Sequence, residues 1–280
     1  MSTRTLVLCA DDYALHPWVD DAVQQLARAG RLSATSCMST APRWREASAA
    51  LQPLRPVLQV GLHFNLTDDH GGAHTAQSLR SVIAQAYARR HDPAHWHRLW
   101  CQQLDAFEDA MGSAPDFIDG HQHVHQLPGV RHALQTELQR RYARQALPWV
   151  RSTAPASGQR RNAKALVIAA LGGWSATRQW QRAGIRVNQG FAGVYGFDAP
   201  TAEHYRAHMR QWLAHSADGG LLMCHPAAQE VPGDAIGRQR PLEFAYLMSD
   251  AFGQDLQSGG WRVQQGAGGT PGCTNEFPAP

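Results

Sequence analysis

The chain has 280 residues, 43% of them hydrophobic and 18% charged, enough to bury a sizeable core as one large domain, and no linker divides the pattern. A formal net charge of +3 is too mild to argue for a nucleic-acid partner, and the basic residues form no sustained run except around Arg160, Arg161 and Lys164. Lys164 is the only lysine, so the arginine-rich, alanine-rich composition reads as coding bias rather than as a binding surface.

Thr5 to Ala10 reads as a buried strand; its apolar run is too short for a secretory core or a membrane span, and no later segment reaches spanning length. Stable membrane insertion is therefore not expected. A helix follows from Pro17 to Ala29, closed by Gly30, then strands at Ser33 to Met38 and Val57 to Leu62, and helices near 77–90 and 95–111. Residues 116–119 (DFID) make a short strand before a histidine-rich run, with a helix at 129–145 after it. Trp149 to Arg151 is another strand, followed by helices near 162–182 and 201–215. Between those helices, VNQGFAGVYGF is a Gly-rich loop carrying Asn188, Gln189, Phe191 and Tyr195; it lacks the GxGxxG arrangement of a dinucleotide loop. Gly220 to Cys224 is the last clear strand, with a helix near 241–253 after it. From Gln264 periodicity stops, giving a domain over 1–263 and a flexible tail over 264–280.

The five cysteines, Cys9, Cys37, Cys101, Cys224 and Cys273, are odd in number and show no CxxC spacing. Neither a disulfide framework nor a thiolate zinc site is indicated, and a cytoplasmic location is expected. The nine tryptophans are scattered and are expected to pack between helices and sheet.

Alternating short apolar runs and amphipathic segments indicate βα units on a largely parallel sheet. Chemically able residues follow one strand after another: Asp11 and Asp12, His63, His121, Arg151 and His225. In a (β/α) barrel the carboxyl ends of the strands share one mouth, whereas an open doubly wound sheet gathers such residues less completely. The expected fold is therefore α/β, a single-domain distorted (β/α) TIM-like barrel with fewer than eight strands.

In DGHQHVHQ, Asp119 precedes His121, His123 and His125 at two-residue spacing. Imidazoles beside a carboxylate suit zinc, or magnesium or manganese where carboxylates and water complete the shell. Spacing alone does not say which bind. On an extended chain all three histidines share a face; at a helix start only residues 121 and 125 do.

Read together, ADDYALHP, GLHFNLT, DGHQHVH and LMCHPA resemble the YdjC-like family of carbohydrate deacetylases, which includes chitooligosaccharide deacetylases and relatives from hopanoid biosynthesis. The resemblance runs from about residue 4 to 253. It implies a distorted (β/α) barrel that removes an N-acetyl group from an amino sugar with one divalent metal ion, magnesium or zinc. Carried over residue by residue, it makes Asp12, His63 and His121 the metal ligands, Asp11 the general base and His225 the general acid. With His121 as the ligand, His123 and His125 become candidates either to brace the ligands from behind or to contact substrate; by position, Arg151 at a strand end is a candidate to orient Asp11, to bind substrate or to serve as a plain ion-pair partner, and Asn188 in the Gly-rich loop is a candidate for substrate contact. The implied partner is a small N-acetylated sugar or glycolipid, and the resemblance also implies a homodimer. One departure stands out: the family's glycine after the aspartate pair and aromatic residue is Ala14 here, so the turn is expected to be adjusted.

Two rival classes remain. Metal-dependent amidohydrolases and phosphoesterases on other barrels place an HxH pair after the first strand, where this chain has Asp11 and Asp12. A phosphatase with an aspartyl nucleophile wants its second aspartate at the position of Tyr13. A sugar- or metal-binding barrel without catalysis would need neither Asp11 as base nor His225 as acid.

Overall fold

An unbroken apolar run makes the first strand the axis of the molecule. In a computed structural model describing residues 3–69, 76–88, 92–143, 145–159 and 162–265, β1 (Arg4–Tyr13) has Val7, Leu8, Cys9 and Ala10 fully buried, as a strand covered on both faces requires. It leads to α1 (Pro17–Arg28), β2 (Ala34–Cys37), α2 (Trp44–Ala49) and β3 (Gln59–Phe64). Then come α3 (Leu79–Ala88), α4 (Pro93–Met111), β4 (Phe117–Gly120), α5 (Val130–Arg141) and β5 (Trp149–Val150). The second half holds α6 (Ala163–Ile168), α7 (Trp174–Arg182), β6 (Phe191–Ala192), α8 (Ala202–His215), β7 (Gly220–Cys224), α9 (Arg240–Met248), α10 (Asp250–Ser258) and β8 (Trp261–Val263).

Every strand pairing is parallel, in the order β5-β4-β3-β2-β1-β7-β6, with β8 beside the first residues of β1. Isolated bridges Val150↔Val187 and Pro155↔Phe191 draw the two ends of this path together, which curls the sheet into the expected distorted barrel with seven strands around it. Parallel connections point all the strand carboxyl ends the same way, so the residues that follow them meet at one mouth. Of the tryptophans, Trp96, Trp100, Trp149 and Trp180 are fully buried, and Trp174 lies at the surface.

Local structure departs from the sequence reading in several places. Residues 162–182 are not one helix: Ala169–Gly173 is π-helical, and Gly172 takes φ +141°. A Cβ at Gly172 would lie 2.6 Å from the Gln126 carbonyl oxygen, so close approach to the histidine run distorts the helix there. The helix expected at 241–253 is two, separated at Ser249 (ψ 160°). The Gly-rich loop contains β6, which pairs with β7, and the chain has a further strand, β8, after the one read as last. At the turn, Ala14 itself takes the left-handed region that glycine favours, φ +74°, and its N–H donates to Asp20 Oδ1 at 2.7 Å. At the expected tail, the Gln264 N–H donates to the Leu6 carbonyl at 2.9 Å and Gln265 reaches the Gly30 carbonyl; residues 266–280 lie outside the described residues. Cys9, Cys37, Cys101 and Cys224 are free thiols, and among the described residues no helix is long and apolar enough to cross a membrane.

Candidate metal centre and catalytic pocket

Asp11 and Asp12 do not follow β1 but lie within its last turn of pleat, where the register against β2 slips between Ala10 and Tyr13. Asp12 has φ +69°, and this irregularity aims both adjacent carboxylates into one cavity of about 730 Å3. His63 stands on β3 and is paired in register with Asp119 on β4. His121 opens a 3₁₀ segment, His121–Gln126, directly after β4.

One oxygen of Asp12 is the centre of the arrangement. Oδ1 lies 3.3 Å from His63 Nε2 and 3.1 Å from His121 Nδ1, and the three ligand atoms fall within 4.8 Å of one another. The other oxygen, Oδ2, accepts from Arg240 Nη2 at 2.7 Å, and Arg240 Nε also pairs with Asp234. Arg240 thereby leaves Asp12 a single free oxygen. His63 Nδ1 is 2.6 Å from Asp119 Oδ1, a contact that takes the Nδ1 proton and turns Nε2 toward Asp12. Ser36 Oγ lies 3.0 Å from His63 Nδ1 and donates to Asp11 Oδ1 at 3.2 Å.

The donor set fits a divalent cation, and the charge around it favours one. Three buried carboxylates, Asp11, Asp12 and Asp119, face two buried guanidinium groups, Arg151 and Arg240, so the cluster is short of positive charge. His63 reports the deficit: burial would lower its pKa, but Asp119, Asp12 and Asp11 together push it up to about 10. Burial would raise Asp12 as well, yet Arg240 and the two imidazoles hold it well below the usual carboxylate range. A carboxylate oxygen and two imidazole nitrogens form a three-ligand set with open positions, the donor pattern of catalytic zinc and related sites.

Beside it, Asp11 is gripped by Arg151 through Nη1 to Oδ2 at 2.7 Å and Nη2 to Oδ1 at 2.6 Å. Arg151 Nη2 also contacts Asp119 Oδ2 at 2.5 Å, without hydrogen-bond alignment, and donates to Cys9 Sγ at 3.1 Å. Burial opposes the Asp11 charge, but the Arg151 field and hydrogen bonds outweigh it and hold the carboxyl well below its ordinary value. His225 Nε2 faces Asp11 Oδ2 at 3.9 Å. The His225 ring stands edge-on to Phe197, and its backbone N–H donates to buried Glu243 Oε2 at 2.6 Å.

The histidine run follows neither of its two expected patterns. Gln122 (φ +50°) and His123 (φ +61°) are left-handed, which divides the side chains between two destinations. His121 and His123 line the pocket; the His123 ring meets Phe191 edge-on, and burial, reinforced by Arg151, holds its pKa well below the ordinary value. His125 turns away: it is fully buried, stacks on Trp180 and places Nε2 3.0 Å from the Arg151 carbonyl, and burial lowers its pKa to about 4. Asn188 is also absent from the pocket wall. Its amide accepts from the Ser152 N–H at 2.7 Å and donates to the Ser152 and Gly190 carbonyls, stitching the strand ends together. Sequence reasoning missed Ser36, Arg240 and Glu243, and it took Asp119 for a ligand candidate where the fold makes it the partner of His63. Only the register between β3 and β4 could have shown the last of these.

A carbohydrate deacetylase from Homo sapiens is 27% identical over 253 residues, covering 81% of this chain and 76% of that protein. A chitooligosaccharide deacetylase from Yersinia enterocolitica is 30% identical over 136 residues, 45% of this chain and 53% of its own. The crystal structure of a protein named as a candidate for cellobiose-phosphate cleavage, from Enterococcus faecalis, superposes with a TM-score of 0.68 at 19% identity, covering 94% of this chain and 97% of the other, which establishes a shared fold. The family model for YdjC-like protein matches residues 5–258, and the chain belongs to the YdjC-like family.

Proposed function

We propose that the protein is a metal-dependent carbohydrate deacetylase that hydrolyses the N-acetyl group of an amino sugar, releasing acetate. The observation that carries this reading is the adjacency of two sites: the Asp12, His63 and His121 donor set, and an Arg151-held Asp11 with His225 across from it. Relatives over most of the chain named carbohydrate deacetylase support the substrate class.

Asp12 Oδ1, His63 Nε2 and His121 Nδ1 would hold the ion. A divalent cation bound there supplies Lewis-acid polarisation of the amide carbonyl and makes water acidic enough to attack near neutral pH. Arg240 and Asp119 keep the ligands in place, one by occupying the second oxygen of Asp12, the other by fixing the His63 tautomer. Asp11, kept ionised by Arg151, takes the proton from the attacking water. A carboxylate held so low retains a proton poorly, and His225 Nε2, 3.9 Å away, is the group that faces it. His225 delivers a proton to the nitrogen as the C–N bond breaks, giving acetate and the free amine. His123 lines the same wall and contacts substrate, whereas His125 and Asn188 support the wall from behind.

Acetate release over a panel of N-acetylated sugars tests this, using chelator-treated protein with zinc, magnesium, manganese or cobalt restored singly. Turnover that needs one of these ions is the expected result. Release that survives complete metal removal, or no release from any member, would overturn it.

A further inference from the structure

A second cluster of metal-ligating side chains lies outside the pocket, on the paired helices α4 and α5. His97 and Cys101 are four residues apart on α4, so both side chains leave the same face of that helix. Glu137 on α5 meets them across the helix contact: it is fully buried, and its Oε2 lies 2.9 Å from His97 Nε2. Cys101 Sγ is 3.8 Å from His97 Nδ1 and 3.9 Å from Nε2, and one ligand atom from each of the three residues lies within 4.8 Å of the other two.

Bond lengths of zinc to sulfur, nitrogen and oxygen put the donors of a tetrahedral site about 3.3–3.6 Å apart. Moving His97 away from Glu137 by roughly half an ångström therefore makes the triad three corners of such a site. The His97 side chain is 36% exposed, which opens the fourth corner to water.

The charges around the triad leave room for a cation. Glu137 pairs with Arg140 and Arg141, and Arg141 pairs also with Asp105 and Glu108. Three carboxylates thus face two guanidinium groups, and with His97 neutral the cluster carries one surplus negative charge. A divalent ion that takes Cys101 as a thiolate brings it to neutrality. Burial would raise the Glu137 pKa, but Arg140 and Arg141 hold it at about 2, so the carboxylate stays anionic. Its Oε1 is occupied by both arginines, whereas Oε2 is shared between His97 and Arg140, whose side chain is 60% exposed and free to turn outward.

The same helix pair braces the pocket. Trp100, beside Cys101, stacks on Phe64 with ring centroids 3.5 Å apart, and its Nε1 donates to the Val130 carbonyl at the start of α5 at 3.0 Å. Phe64 follows His63 on β3, and α5 follows the His121–Gln126 segment. Fixing α4 to α5 therefore fixes the support of both imidazoles.

We propose that His97, Cys101 and Glu137 form a second metal site, a structural clamp that holds zinc or another thiophilic divalent ion between α4 and α5. A thiolate beside an imidazole and a carboxylate selects zinc over magnesium, which prefers oxygen donors throughout. Binding exchanges the Cys101 thiol proton for the metal, and the proton leaves to solvent. The site does not depend on the deacetylase reading, since none of the three residues lines the pocket.

Cobalt titration of the chelator-treated full chain, with a phosphine reductant, tests the clamp. Thiolate bound to cobalt gives a near-ultraviolet charge-transfer band that the sulfur-free Asp12, His63 and His121 set cannot give. Wild type should show the band, and Cys101→Ser and His97→Ala should lose it. No band in wild type with cobalt in excess, or a band undiminished in either variant, overturns the site. Alkylation by iodoacetamide, mapped to the Cys101 peptide, reads wild type alone and does not rely on a variant that must fold; Cys9, Cys37 and Cys224 are buried, whereas Cys101 is partly exposed. Zinc at about ten times the dissociation constant read from cobalt displacement should slow labelling about tenfold, because only the unliganded fraction reacts. An unchanged rate in zinc, or equal slowing by magnesium at the same concentration, would reduce the cluster to an ion-pair network and overturn the clamp.

Discussion

Replacing Arg151 with Met probes the buried ionic core of the site. Arg151 is fully buried, holds Asp11 through two hydrogen bonds of 2.6 and 2.7 Å, and contacts Asp119 at 2.5 Å; both carboxylates are at most 2% exposed. Methionine fills much of the volume but removes the guanidinium that grips Asp11, leaving the buried carboxylates of Asp11 and Asp119 to repel each other. Removing one partner of such a buried pair costs about 3–5 kcal/mol, far above the cost of an exposed pair. The pH dependence should reverse in sign. In wild type, Asp11 is held below its unfolded pKa of about 3.9, so its contribution is present above that value and is lost as pH falls through the folded value. In Arg151→Met, burial, the largest influence, is opposed only by the weaker fields of His63 and His225 and raises Asp11 above the unfolded value, so the penalty is present at neutral pH and shrinks on acidification. Urea denaturation of chelator-treated protein at pH 8 and pH 5 measures both effects without linkage to bound metal. A loss below about 1 kcal/mol at pH 8, or one that does not diminish by pH 5, would refute the claim that Arg151 compensates these carboxylates.

Asp11→Asn should lower kcat by about 10²–10⁴-fold while zinc still binds, as judged by steady-state kinetics beside metal analysis; lost metal with retained turnover would exchange the roles of Asp11 and Asp12. Metal binding to the stripped protein at pH 8 should release about one proton, because His63 titrates near 10 without metal and must free Nε2 to ligate. Calorimetry in buffers of different ionisation enthalpy reads that number, and zero release would contradict the assignment of His63. Arg240→Ala should weaken metal affinity by about 10–100-fold by freeing the second oxygen of Asp12, as chelator competition would report. Asn188→Ala should cost about 1–3 kcal/mol in denaturation with little change in KM, since its amide serves the backbone of Ser152 and Gly190 rather than the pocket; a large KM change at unaltered stability would restore it to substrate contact.

What could be read from the sequence was whatever a strand end makes local. Asp11, Asp12, His63 and His225 stand out because each interrupts an apolar run, and parallel strands carry such interruptions to one mouth. What could not be read depends on register and on distant chain segments. Arg240 lies 228 positions from Asp12, at the start of a helix whose pattern gives no sign of a buried ion pair. Asp119 meets His63 only because β4 pairs with β3 in one register. The strands β6 and β8 span two and three residues, too short to show any period.

The histidine run failed for a different reason, and that reason extends across the site. Among the described residues, the non-glycine positions with positive φ are Asp12, Ala14, Gln122, His123 and Phe197. Four of them line the candidate pocket, and Ala14 directly precedes Leu15 and His16 of its wall. Each such conformation costs about 1–3 kcal/mol against local preference, so it persists only where tertiary packing imposes it. Propensity reasoning assigns these residues to ordinary strand or helix and therefore misplaces the side chains they carry, His123 and His125 above all. At Asp12 the same strain has a visible use. The left-handed residue turns its carboxylate toward His63 and His121 while Asp11, one residue earlier, is held by Arg151. Two consecutive carboxylates on a regular strand would point to opposite faces; at this mouth the irregular backbone gives each a separate partner and a shared pocket.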